Sequence, residues 1–274
     1  MLKRMSQISS YPVLVDERNR RLVVNGYPRD TKPAFLSSEL IALAVERNLE
    51  KIWLWALPSH VPEFLGCGFR MEGSLFKDNY EEFAISLAYY VSAARGYSQR
   101  LESEDDIITA VRTEPIRRLS PLPSGMVLKI LKKSHAVPIS QVLSGVFETY
   151  PSPVEDHEYI ESLIRKENVF AGAFFEDKLV AVAAAYPDNT LNRCEMTDCA
   201  TLKEFRGYSL CERLLNKLER EVEKRGGYSL FTLARAQSFG MNRVFHKLGY
   251  RFQGRLINNC NIAGSFEDMN LWVK

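Results

Sequence analysis

The sequence predicts an α/β protein in which a mixed central sheet flanked by helices follows a smaller α/β unit. Three observations carry this. Beyond residue 125, apolar residues alternate between a spacing of two and a spacing near 3.6, in the order ββ, βαβ, αββ. The run Thr201–Leu210 stops a strand at a tight Arg206-Gly207 turn and feeds an amphipathic helix. The 274 residues, 46% hydrophobic and 26% charged, suit one large or two modest domains with real cores.

The elements follow in order. Ile52–Leu57 is an apolar strand, followed by Phe64, Gly68, Phe69 and Gly73. The same pattern, Phe-x3-Gly-aromatic-x3-Gly, returns at Phe245, Gly249, Tyr250 and Gly254 after the strand Tyr228–Ala234. The N-terminal part therefore reads as a worn copy of the end of the chain. No Arg-Gly turn precedes Ile52, so this copy is not expected to hold a cofactor.

A weak link lies between about Arg95 and Gly125, where the acidic run Glu102–Asp106 precedes Glu114-Pro115 and Pro121-Leu122-Pro123. The expected organisation is an N-terminal unit over 1–100, a linker over 101–124 and a catalytic domain over 125–274. Within the last, Val127–Lys132 alternates like a strand and Ile139–Tyr150 has helical spacing, stopped by Pro151 and Pro153. Glu155–Arg165 is a second helix. Val169–Phe175 and Leu179–Tyr186 form a hairpin, and Cys194–Leu202 is the next strand. The helix after Gly207 gathers Leu210, Leu214, Leu215, Leu218 and Val222 on one face. Met241–Leu248 is a short helix, and Tyr250–Leu256 and Phe266–Val273 close the sheet.

Charge and composition exclude several classes. A net charge of +2 argues against nucleic acid as a partner. The longest apolar run, Leu179–Tyr186, is too short to span a bilayer, and Met1–Val13 lacks the apolar core of a signal peptide. Cys67, Cys194, Cys199, Cys211 and Cys260 show neither metal spacing nor disulfide density, so a cytoplasmic protein without a metal is expected. The four histidines, His60, His135, His157 and His246, are scattered. Cys199 lacks a visible activating base, and Trp53, Trp55 and Trp272 read as core.

The helix opening after Arg206-Gly207 carries the sharpest functional signal. Its first amides lack intrahelical partners and sit at the positive end of the helix dipole, a natural seat for a pyrophosphate.

Here the chain resembles the GNAT family of acyl-CoA N-acyltransferases. Within it, Tyr150–Lys274 is similar to the β-lysine N6-acetyltransferases, through Glu195-Met196-Thr197-Asp198-Cys199-Ala200-Thr201-Leu202, Leu233-Ala234-Arg235-Ala236, Gly240-Met241-Asn242, Gly254-Arg255-Leu256-Ile257-Asn258-Asn259-Cys260 and Phe266-Glu267-Asp268-Met269-Asn270-Leu271-Trp272. The first hundred residues match more loosely, around Gly68–Gly73. The resemblance implies the GNAT fold, acetyl-CoA as co-substrate and a small amine as acceptor. A homodimer stays open.

The family's phosphate loop, Arg/Gln-x-x-Gly-x-Gly/Ala, places Arg206, Ser209 and Cys211 here, so two small residues are replaced. The tyrosine many relatives use as general acid falls at Phe245. The resemblance places acetyl-CoA on Thr201, Leu202, Arg206, Gly207, Tyr208, Ser209, Leu210 and Asn242, with a backbone N–H near Leu202 holding the acyl oxygen.

Glu195 lies at the family position of a base, eleven residues before Arg206. An amine with a pKa near ~10.4 must lose a proton before it attacks, and a carboxylate can accept it. In a regular strand Glu195 shares a face with Cys199, and Asp198 points the other way unless a bulge redirects it. Asp198 is read as a substrate or structural residue. Arg235 and Arg255 are candidates for a substrate carboxylate, Glu267 for a second ammonium, and Asn258 and Asn259 for orienting it. Turn chemistry alone also explains the asparagines. The implied product is N6-acetyl-β-lysine, a compatible solute. Another small amine (lysine, a polyamine or an amino sugar) and a non-catalytic acyl-CoA-binding protein are the rival readings.

Overall fold

The computed structural model describes residues 11–76, 82–115 and 119–274. The first half begins with a hairpin, β1 (Val13–Asp16) and β2 (Arg21–Val24), and helix α1 (Pro33–Glu46) leads to β3 (Lys51–Ala56). A short helix α2 (Val61–Gly66) precedes β4 (Arg70–Phe76) and β5 (Glu82–Tyr90), and α3 (Leu101–Thr113) follows. The second half runs β6 (Met126–Ile130), α4 (Ala136–Val146), α5 (His157–Arg165), β7 (Val169–Phe175), β8 (Lys178–Asp188) and β9 (Arg193–Thr201). It ends with α6 (Leu210–Glu223), β10 (Ser229–Arg235), α7 (Phe239–Lys247), β11 (Arg251–Ile262) and β12 (Ser265–Val273).

Local chemistry explains the boundaries. The Asp156 side chain caps α5 by accepting the Glu158 N–H, and Ser238 caps α7 by accepting the Met241 N–H. Leu210, Leu214, Leu215, Leu218 and Val222 bury the inner face of α6. The apolar run Leu179–Ala185 of β8 is buried on both faces, with Ala181, Ala183 and Ala185 toward α6 and Val182 and Ala184 toward α4 and α5. Helix α4 stops at Val146, short of the expected Tyr150, because Phe147 leaves helical geometry. β11 extends beyond the expected Leu256 to Ile262.

The segment 101–124 is more than a connector. Its acidic run forms the opening turns of α3, where the helix dipole favours negative charge, and Ile108 and Val111 are buried. Arg243 of α7 reaches Glu114 at 2.9 Å.

Among the described residues, twelve strands form one sheet in the order β1-β2-β3-β5-β4-β11-β12-β10-β9-β8-β7-β6. From β1 to β8 this order is palindromic. The hairpin β1–β2 matches β8–β9, the parallel pair β2–β3 matches β9–β10, and the antiparallel β3–β5–β4 matches β10–β12–β11. The repeated glycine motif sits at equivalent corners. Phe64 meets Phe69 edge-on at 5.3 Å and 66°, and Phe245 meets Tyr250 at 5.2 Å and 74°. Gly68 and Gly249 both turn at positive φ, +92° and +87°.

The two copies join where β4 crosses β11, with Gly73 opposite Gly254. A Cβ on Gly254 would stand 2.1 Å from the Glu72 carbonyl oxygen, so only glycine allows this approach. Around the crossing, buried Lys51 pairs with Glu72 at 3.0 Å and donates to the Ile257 carbonyl at 2.8 Å, while Glu72 accepts the Ile257 N–H at 2.7 Å. One apolar cluster spans both halves, with Val23, Trp53 and Trp55 from the first and Phe231, Leu256, Met269 and Leu271 from the second. The sheet coils, and the β1–β2 hairpin comes round to β8–β9: Arg193 donates to the Asn25 carbonyl at 3.1 Å, and Arg18 pairs with Glu155 at 2.7 Å.

Candidate functional site

The site begins where two strands part. β9 pairs with β10 only over Arg193–Glu195 against Ser229–Phe231, although both strands continue beyond. The remainder of β10 pairs with β12 instead, which leaves a wedge beside β9. A bulge interrupts β9 opposite β8 between Thr197 and Ala200, and Asp198 takes a left-handed φ of +50° there. The extra residue reverses the alternation. Asp198 therefore joins Glu195 on the α4 face, and Cys199 turns to the opposite face beside α6. This corrects the regular-strand expectation, which put Glu195 with Cys199.

The wedge leads to the opening of α6. Gly207 and Ser209 both adopt left-handed conformations, φ +91° and +54°. Ser209 is the N-cap residue, and its hydroxyl makes no cap hydrogen bond. Among the described residues, no protein acceptor meets the backbone N–H groups of Gly207, Tyr208, Ser209, Leu210 or Cys211. Five free amides at a helix start are a fit for a diphosphate.

A cavity of about 720 Å³ runs from this turn, past Thr201, to Glu195, Asp198 and Tyr150. A second cavity, about 620 Å³, is lined by Asp16, Arg21, Trp53, Trp55, Asp188 and Arg193. Glu195, Tyr186, Arg21 and Trp53 border both. Glu195 thus stands at the meeting point of a phosphate-facing cavity and one walled by both halves of the molecule.

The electrostatics single out the same carboxylate. Burial, then the nearby Asp198 charge, push the Glu195 carboxyl up to about 7, with Arg193 and Arg21 pulling the other way. Among the described residues, no protein donor reaches its oxygens. Asp198 accepts from Tyr150 at 2.7 Å and from Tyr186. Burial raises the Asp198 carboxyl while these two hydroxyls oppose the rise. Burial and the Asp198 charge hold both tyrosines well above their ordinary range, so they stay protonated donors. The Cys199 thiol is also raised, first by its hydrogen bond with Cys211 and then by burial, which works against a thiolate there.

Comparisons with known proteins agree with this geometry. Residues 139–250 match the acetyltransferase (GNAT) family. The N-acetyltransferase YodP of Bacillus subtilis is 35% identical over 94% of either chain. The chain belongs to the GNAT acetyltransferase family. The β-lysine N6-acetyltransferases of Methanococcus maripaludis and Methanosarcina mazei are 28% and 30% identical, covering 100% and 87% of this chain and 99% and 96% of theirs. The chain is therefore an N-acetyltransferase whose acceptor is an amine, and its mixed sheet with flanking helices is the GNAT fold.

The GNAT site gathers some of the residues expected from sequence and scatters others. Thr201, Arg206, Gly207, Ser209 and Leu210 line the larger cavity, and Tyr208 stands exposed on the same turn. Leu202 is not available, because its N–H already donates to the Val180 carbonyl at 3.0 Å. Amides alternate along a strand, so the Thr201 N–H faces the wedge instead. Asn242 is fully buried and saturated: its Nδ2 donates to the carbonyls of Arg235, Ala236 and Ser238, and its Oδ1 accepts from Asn270 and Trp272. It locks α7 to the sheet and has no group left for a cofactor.

The expected substrate residues divide similarly. Asp198 lines the cleft. Arg235 borders its far end, with its Nε and Nη2 both bound to Glu267 at 2.7 Å, so the two-pronged edge of its guanidinium is engaged within the protein. Arg255 lies outside it, paired with Glu104 and Asp105 of α3. Asn258 and Asn259 belong to the seam between the halves. The Asn258 carbonyl accepts from Arg95 and its Nδ2 donates to the carbonyls of Arg95 and Tyr97, while the Asn259 carbonyl accepts from Arg21. Ile257, Asn258 and Asn259 form a three-residue swelling of β11 against the single Asp268 of β12, which turns its backbone toward the first half.

Sequence reasoning missed Tyr150, Tyr186, Arg21, Arg193, Trp53 and Trp55. Tyr186 was within reach, since the β8–β9 hairpin sets it opposite Glu195. Among the described residues, no cluster of three His, Cys, Asp or Glu side chains is placed to hold a metal, and no helix is long and apolar enough to cross a membrane.

Proposed function

We propose that this enzyme transfers the acetyl group of acetyl-CoA to the terminal amine of β-lysine, giving N6-acetyl-β-lysine. One observation carries the reading: Glu195 borders both the cavity that starts at the open amides of α6 and the cavity walled by paired charges. The co-substrate supplies the activated acetyl thioester. The amides of Gly207–Cys211, with Arg206 beside them, suit its diphosphate. The Thr201 N–H, facing the wedge, is placed to polarise the acyl carbonyl.

Glu195 accepts the proton of the substrate ammonium, directly or through a water. A carboxyl near 7 is matched to this task, because it is substantially ionised at neutral pH yet basic enough to take the proton. Asp198, held by two tyrosine hydroxyls, keeps negative charge beside the incoming cation. Phe245 is buried against Tyr250 and offers no proton, so the thiolate leaves without this side chain's help, as a thiol pKa near ~8.5 allows. Acetylation removes one of two positive charges from the substrate and leaves a neutral zwitterion, the chemical character of a compatible solute. The β-lysine N6-acetyltransferase relatives, similar over nearly their whole length, support this choice of acceptor.

The test is a panel of β-lysine, lysine, a polyamine and an amino sugar, each offered with acetyl-CoA. The expected result is the highest kcat/KM for β-lysine, with the product acetylated at N6. Faster turnover of another amine would replace β-lysine as the acceptor.

A further inference from the structure

Two arginines, Arg21 and Arg193, line the second cavity at equivalent places in the two halves. Arg21 opens β2 and Arg193 opens β9, each beside a hairpin partner, Asp16 and Asp188. Arg21 Nε binds Asp16 at 2.8 Å and its Nη1 donates to the Asn259 carbonyl at 2.8 Å. Arg193 Nε binds Asp188 at 3.3 Å and its Nη2 donates to the Asn25 carbonyl at 3.1 Å. Arg21 stacks over Trp53 at 5.1 Å and Arg193 over Trp55 at 5.2 Å.

Each guanidinium is thus fixed on three sides and left with one amino group. Among the described residues, no protein acceptor meets Arg21 Nη2, and Arg193 Nη1 is buried without any partner. Arg193 is only 4% exposed, and a buried donor without a protein acceptor is one that a bound group can satisfy. The stacked aromatics and paired carboxylates hold both groups in place, so little side-chain entropy is lost on binding.

We infer that Arg21 and Arg193 are specificity residues that grip the carboxylate of an amino-acid acceptor, with Asp16 and Asp188 meeting its neighbouring ammonium. This deepens the proposed function and rests on it. The alternation of fixed positive and negative groups matches a zwitterionic head, and Glu195, bordering both cavities, receives the distal amine. The first half of the chain therefore supplies half of the acceptor site, through Asp16, Arg21 and Trp53.

The test compares matched acceptors that differ only by the carboxylate: β-lysine against 1,4-diaminopentane, and lysine against 1,5-diaminopentane. The expected result is a preference of about 100-fold in kcat/KM for each acid, as loss of charge-assisted bonds to a buried site predicts. Arg193→Gln and Arg21→Gln should each cut that ratio below about 10-fold, chiefly through KM. Arg193→Lys should restore part of it, which a purely structural role would not do. Equal turnover of acid and diamine by the unmodified protein overturns the inference even if a variant fails to fold. Preference for lysine over β-lysine with the ratio intact overturns the choice of acceptor and leaves the inference standing. If none of the four is acetylated, both fall.

Discussion

β2 and β9 hold equivalent positions in the two halves, and they differ at the residue where the cleft opens. Matching Arg21 with Arg193 aligns Val23 with Glu195. β2 stays paired with β3 through Val24, whereas β9 parts from β10 after Glu195. The helix starts differ too. Pro33 opens α1 without an N–H, and Glu63 accepts the Ala34 N–H at 3.1 Å, so a carboxylate of the protein occupies the place an anion would take. The corresponding opening of α6 is bare. Three local changes thus separate a half that carries chemistry from one we read as a worn, non-catalytic copy whose strands became a wall. The shared scaffold dictates none of the three.

The comparison predicts its own tests, beginning with the largest effect. Glu195→Gln gives this half the unreactive character of Val23, and kcat/KM should fall by about 10²–10⁴-fold. In the parent enzyme kcat/KM should rise with pH through about 7, the value of the Glu195 carboxyl, and the variant should lose that inflection. A pH–rate profile of both checks this.

The joint between the halves comes next. Glu72→Ala leaves Lys51 buried without a counter-charge and should cost about 3–5 kcal/mol in urea unfolding. Replacing both, Lys51→Met with Glu72→Leu, should recover much of that loss. A single variant with unchanged stability would mean the halves are not held by this pair.

A smaller effect concerns pH and stability. The folded-state pKa of Glu195 is raised, so its protonated form stabilises the fold below the ordinary carboxylate range, and this contribution is lost as pH rises through about 7. Glu195→Gln should remove a loss on the order of 1–3 kcal/mol between pH 5 and 8, read from denaturant midpoints.

Ser209→Gly should show the smallest change. Relief of the left-handed strain should stabilise the protein by about 1 kcal/mol and leave coenzyme A affinity equal or better. Weaker binding would assign the hydroxyl a direct role in holding phosphate.

Local pattern made much of the C-terminal half readable. The hairpin Val169–Tyr186, the Arg206-Gly207 turn and the apolar stripe of α6 depend on neighbours in sequence, and they sit where periodicity put them. The repeated glycine motif was visible for the same reason. Asp198 could not be oriented, because a bulge shifts the alternation without any mark in composition. Arg255, Asn258 and Asn259 looked like substrate ligands because polar residues in a late strand fit either a cleft or a seam. The partners that decide between the two, such as Arg95 and Glu104, lie far away in the chain. Trp53 and Trp55 read as core and are buried, yet the coil of the sheet also makes them the floor under two guanidiniums.

The crossing of Gly73 and Gly254 has a practical corollary. Cutting the chain near residue 125 to obtain a minimal enzyme would strip β11 of its neighbour and present a bare, sticky strand to solvent. It would also carry away one of the two walls of the second cavity. Fragments should aggregate or reassemble on mixing, and shorter versions of this enzyme will have to be sought by trimming loops rather than by splitting it in two.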